Sequence, residues 1–177
     1  NKQLWGSTEL INDTGDGVVK PKLYTIDSLK FDTDSNLLNR AFTIHTHPKH
    51  DDFISTLSLR DVVVHLSTLS TYGSNYIGDA AVARKDGEII MASITSPSEV
   101  NQELKDNIWR IENALDEFLQ RIEAGEIEGV SGTDEFEEPV TLPGYGLRQE
   151  FNSVSEIRDK TRNELSSLGF KIQTTQI

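Results

Sequence analysis

All four histidines of the chain fall in one stretch, "AFTIHTHPKHDDFISTLSLRDVVVHL", residues 41–66. His45 and His47 flank a single threonine at the end of an apolar, β-like run. Side chains alternate along a strand, so rings at i and i+2 point the same way. Each neutral imidazole offers one nitrogen lone pair, and such pairs are used to bind metal ions. Pro48 ends the strand by removing a backbone donor. Asp61, near the start of the helix expected after Ser58, can add a carboxylate oxygen. Two histidines and one carboxylate leave the fourth zinc position for water, the pattern of a catalytic rather than a structural ion. Zinc lowers the pKa of such a water to about 7. Hydrolysis also needs a proton shuttle, usually a carboxylate near the water. Glu9 is the only glutamate before His45, and its strand-like surroundings make it the candidate.

These residues must be positioned by elements on either side. "LWGSTELI", residues 4–11, reads as a strand, "NDTGDG" as a turn, and "VVKPKLYTIDSLKF" as strand material bent at Pro21. "AFTIH" reads as a buried strand. Ser58 is an N-cap candidate for a helix carrying Asp61, Val62 and Leu66. "YIGDAAVARKDGEIIMASIT" reads as a hairpin turning at Lys85-Asp86-Gly87. Ser96-Pro97-Ser98-Glu99 is expected to open a long helix. Its stripe, Leu104, Ile108, Ile111, Leu115, Phe118 and Ile122, alternates steps of four and three. "GEIEGVSGTDEFEEP" shows no period and is expected to be a mobile loop. "SVSEIRDKTRNELSSLGF" is a second helix, capped by Ser153 or Ser155 and stopped at Gly169. Interleaved strands and helices predict an α/β or α+β domain. The expected organisation is a metal-binding core over 1–98 and a helical, acidic extension over 99–177, packing on or beside that core.

The chain has 177 residues and a formal net charge of -12. Residues 1–98 carry 9 basic against 12 acidic side chains, and residues 99–177 carry 8 against 17. Such a surface repels phosphate backbones, so nucleic-acid binding is not expected. With no cysteine, disulfides, thiolate ligands and a cysteine nucleophile are all excluded. No apolar run is long enough to span a membrane, and no leader pattern opens the sequence. A secreted protein of this size would more often carry bridges, so a cytoplasmic home is expected.

"HTHP" followed by "SLRD" resembles the signature of the JAMM (MPN+ or JAB) zinc metalloproteases. That family has a glutamate on an early strand, His-x-His-Pro at a strand end, and Ser-x-x-Asp opening a helix. Glu9, His45-Thr46-His47-Pro48 and Ser58-Leu59-Arg60-Asp61 follow in that order. The resemblance implies one zinc per chain held by His45, His47 and Asp61. It implies Glu9 as general base and acid, and Ser58 as hydrogen-bond donor to a developing oxyanion. It implies cleavage of a peptide or isopeptide bond, often beside ubiquitin or a ubiquitin-like protein. It also implies a mixed sheet packed by helices, related to the cytidine deaminases. Ten residues, 48–57, separate His47 from Ser58, three more than the family pattern. The added length includes Phe53 and Ile54 and is expected to help choose the substrate.

Plainer readings stand beside these. Ser58 can be a cap alone, and Asp61 can simply favour a helix N-terminus. Glu9 can be an exposed strand acid. His50 is expected in solvent. His65, one turn past Asp61, is expected to pack or face solvent rather than support the metal. Two other function classes remain: a non-catalytic module of the same fold acting as a scaffold, and a different metallohydrolase such as a PHP-type phosphoesterase. The latter needs more histidine and aspartate ligands, and with only His50 and His65 left over the chain has too few histidines for it.

Overall fold

Strands and helices interleave through the described residues, 41–46, 57–85, 88–145 and 149–176, in this computed structural model. They belong to one unit, Leu38–Ile177. The strands and turns expected before residue 41, Glu9, His47, His50, the loop 48–56 and the hairpin tip 86–87 lie outside the described residues.

The elements are β1 (Ala41–Thr46), α1 (Leu59–Tyr72), β2 (Tyr76–Lys85), β3 (Glu88–Thr95), α2 (Gln102–Glu123), β4 (Glu135–Thr141), β5 (Glu150–Ser153), α3 (Val154–Ser167) and β6 (Lys171–Gln176). Four strands form a sheet in the order β1-β2-β3-β6, and β4 pairs with β5 separately. β1 runs parallel to β2, whereas β2–β3 and β3–β6 are antiparallel. A parallel pair needs a crossover, and α1 is that crossover. The described residues therefore form an α/β fold with a mixed sheet and three α-helices.

The apolar stripe of α2 behaves as its period predicts. Leu104, Ile108, Ile111, Leu115 and Phe118 are buried, while Ile122 at the end of the stripe is 39% exposed. They join one core cluster with Val62, Leu66 and Leu69 of α1, Ala92 and Ile94 of β3, and Ile157 and Leu165 of α3. Apolar burial at roughly 25 cal/mol per Å² makes this shared core the main stabilising term. Chain beyond residue 98 thus contributes to the same core as chain before it. That later part also holds three strands besides its two helices, and β6 completes the sheet against β3.

Three local expectations change, and one open choice is settled. The long helix starts at Gln102, not at Ser96, with Asn101 Oδ1 accepting from Leu104 N at 2.8 Å as its cap. Ser96 is already committed: its N–H donates to Ile77 O at 2.7 Å and its hydroxyl meets His65. The acidic stretch expected to be a mobile loop contains β4. Phe136 there packs edge-on against Phe118 and Val140 is buried, so two apolar anchors hold a strand that also carries Glu135, Glu137 and Glu138. β1 is less buried than its apolar run suggests, with Phe42 42% and Ile44 66% exposed. It is the last strand of the described sheet. Finally, His65 is wholly buried, which settles its choice between packing and solvent.

Gly78 lets β1 lie close on β2. A Cβ there would come within 2.7 Å of the Phe42 ring and 2.5 Å of Ile94 O. No described helix is long and apolar enough to cross a membrane.

Candidate metal centre

The β1–α1–β2 unit brings three side chains together. His45 lies near the C-terminal end of β1, Asp61 in the first turn of α1, and Asp79 within β2. Ligands of α/β sheets sit outside the carboxyl ends of parallel strands, and His45 and Asp61 lie at that end of β1, with Asp79 further inside the sheet.

Asp61 is held by the start of its own helix. Ser58 has extended backbone, and its Oγ accepts from Asp61 N at 3.1 Å. Asp61 Oδ2 in turn accepts from Ser58 N at 2.8 Å. This reciprocal capping box satisfies two helix-end donors. The other oxygen, Oδ1, lies 3.1 Å from His45 Nε2. One carboxylate thus closes the cap and faces the imidazole at the same time. The plain and the chemical readings of Ser58 and Asp61 are compatible.

The far side of the His45 ring faces the other acid. Nδ1 lies 3.4 Å from Asp79 Oδ1. Asp79 is only 3% exposed. Its Oδ1 also accepts from Thr43 Oγ1 at 2.7 Å and from Ala80 N at 2.9 Å. Thr43 Oγ1 is 2.7 Å from Tyr76 OH. Because Thr43 gives its only proton to Asp79, it accepts from Tyr76.

The electrostatics follow from these contacts. Hydrogen bonding to Asp61, then to Asp79, holds the proton on His45 against partial burial and raises its pKa to about 10. Burial alone would push the Asp61 carboxyl up, but hydrogen bonds from His45 and from the Ser58 side chain and backbone outweigh it. Asp61 ends below its ordinary value. Burial raises Tyr76 well above the normal phenol range, so it remains a donor.

These donors fit one zinc ion as far as they go. Two ligands of a tetrahedral zinc, each about 2.0–2.1 Å from it, stand about 3.3 Å apart, close to the 3.1 Å between Nε2 and Oδ1. Among the described residues no group of three or more His, Cys, Asp or Glu side chains is arranged to hold a metal ion. His47, the third ligand that the motif calls for, lies outside them, as does Glu9. The structure thus brings together His45, Asp61 and Ser58 of the sequence-predicted site.

Asp79 was not singled out by the sequence. The available signal was an acid inside an otherwise apolar strand, "YIGDAAVA". Such a residue is seldom fully buried unless paired.

His65 forms a separate centre on α1. Its Nε2 is 3.2 Å from Ser96 Oγ, and its ring packs on Tyr76 and edge-on against Phe170. Its Nδ1 has no hydrogen-bond partner among the described residues. Burial lowers its pKa to about 4, although the nearby Asp79 charge acts the other way.

No protein-family model matches the chain, and neither a curated protein nor a solved structure gives a significant match.

Proposed function

We propose that the chain is a zinc-dependent hydrolase of peptide or isopeptide bonds, with a fold of the JAMM and deaminase type. The observation that carries this reading is the approach of His45 Nε2 to Asp61 Oδ1 at 3.1 Å. It occurs within the order His-x-His-Pro then Ser-x-x-Asp, at a strand end and a helix start. His45, His47 and Asp61 would hold the ion. Zinc supplies Lewis acidity there and lowers the pKa of water to about 7.

The remaining work belongs to the chain. Asp61, kept ionised and fixed by its capping box, presents a single oxygen. Glu9 takes the proton of the attacking water and returns it to the leaving amine. Ser58 carries one rotatable proton and two lone pairs, and capping uses a lone pair. That proton bonds Asp61 in the resting chain and would turn from it to donate to the oxyanion that develops on the substrate carbonyl. The substrate is a protein or peptide, ubiquitin-like proteins being the leading class by resemblance, and the compartment is the cytoplasm.

A second reading has one observation in its favour. His45 between Asp61 and Asp79 forms an ion-pair triad, an imidazolium held by two carboxylates. That arrangement suits an interaction module with an idle site.

Native mass spectrometry in zinc separates the two. The hydrolase binds one zinc, the His45→Ala/His47→Ala variant binds none, and Glu9→Gln keeps zinc but loses turnover of peptide and isopeptide substrates. A wild-type chain that stays metal-free leaves the idle-module reading standing.

A further inference from the structure

We infer that Asp79 is a positioning residue that holds Nδ1–H of His45 and so aims Nε2 at the metal. This inference rests on the zinc reading above.

Asp79 sits in an alanine-rich strand, flanked by Ala80, Ala81 and Ala83. A carboxyl buried there is costly unless hydrogen bonds compensate it. Three donors converge on its Oδ1: Thr43 Oγ1, Ala80 N and His45 Nδ1. Sheet register explains two of them. Thr43 pairs with Asp79, and His45 pairs with Ala81, two residues further along the same parallel ladder. Thr43 and His45 are two residues apart and so share a face of β1. Asp79 therefore reaches forward along that face, toward the C-terminal end of β1, to the near edge of the imidazole.

Asp79 is not placed to be a co-ligand of Asp61. The two carboxyls face opposite nitrogens of one ring, and the two nitrogen directions diverge. An ion on Nε2 beside Asp61 is out of reach of the Asp79 oxygen that faces Nδ1. What Asp79 can do is fix the tautomer. A proton kept on Nδ1 leaves the Nε2 lone pair for the metal and makes the imidazole a more basic ligand. Thr43 orients Asp79, and Tyr76 orients Thr43, so the support runs from the core outward to the ligand.

The test uses the full chain and zinc alone. Competition with a chromophoric chelator is expected to show Asp79→Asn binding zinc 10–100-fold more weakly than wild type, the usual range for such outer partners. Thr43→Val, which removes one donor to Asp79 and no ligand, is expected to show a smaller loss in the same direction. In zinc-loaded wild type, nitrogen NMR of His45 is expected to show Nδ1 protonated and Nε2 metal-bound. That readout stands even if Asp79→Asn fails to fold. Metal on Nδ1, or a folded Asp79→Asn with wild-type zinc affinity, overturns the role of Asp79 while leaving the zinc reading intact. A wild type that binds no zinc overturns both.

Discussion

Two histidines beside α1 meet opposite fates. His45 faces two carboxyls at hydrogen-bonding range, and its pKa rises to about 10. His65 is wholly enclosed by Tyr76, Phe170 and Ser96, and its pKa falls to about 4. Asp79 acts on both, through contact at His45 and at longer range on His65. A carboxyl at about 3 Å overcomes partial burial, whereas a more distant one does not overcome complete burial. The same side chain is thus a proton holder in one place and a neutral packing element in the other. The two centres can be separated by pH.

The largest expected effect is at His45. In the metal-free chain its raised pKa contributes stability that is fully present below the unfolded value of 6.5 and is lost as pH rises through about 10. Zinc must displace that proton, so zinc affinity should rise by up to roughly tenfold per pH unit between pH 6 and 8. Asp61, whose pKa is lowered, stays ionised throughout that range. Calorimetric titration with zinc across these pH values is the check. An affinity that does not change with pH means that zinc displaces no proton from His45, and the ion-paired imidazolium is then overturned.

His65 should show the reverse dependence. Its folded pKa lies below the unfolded value, so only the unfolded chain takes up a proton between pH 6.5 and 4. Stability is fully present above 6.5 and falls as pH drops through that window, by at most about 3 kcal/mol at 1.36 kcal/mol per pKa unit. Over this range His45 is protonated in both states and cancels. Urea denaturation of wild type and His65→Leu at several pH values is the measurement. The variant is expected to lose most of the slope; an unchanged slope would assign it to other groups.

What the sequence revealed, and what it hid, follows the range of the contacts. The cap at Ser58 spans three residues, the stripe of α2 repeats every turn, and the β2–β3 hairpin closes on itself. Each is a local pattern, and each stands in the structure. Asp79 was hidden because its meaning depends on Thr43, 36 residues earlier, across a parallel ladder. The start of α2 was misplaced because Ser96 is claimed by Ile77 and His65 from other elements. β4 was masked by acids whose strand is fixed by Phe136 and Val140 alone on the core side. In the candidate centre, the ligand order was legible, but the residue that orients the ligand was not.

The smallest effects compare the two serines that serve the two histidines. Ser58 caps α1 beside His45, and Ser96 bonds Nε2 of buried His65. Ser58→Ala should cost about 1 kcal/mol, the typical loss of a cap. Ser58→Gly should cost only a few tenths, because glycine is tolerated at that position. Water can replace part of what Ser58 gives, since the first turn of α1 includes exposed Arg60 and part-exposed Asp61. Ser96→Ala has no such relief. It leaves Nε2 of a fully buried ring without its partner, beside an Nδ1 that already has none among the described residues. The loss should lie in the range of about 1–3 kcal/mol for a buried group left unsatisfied. It should also exceed that of Ser58→Ala when both are measured by urea unfolding at pH 7.5. Equal losses would show that water reaches His65, and the contrast between a wet and a dry histidine would then fail at its dry end.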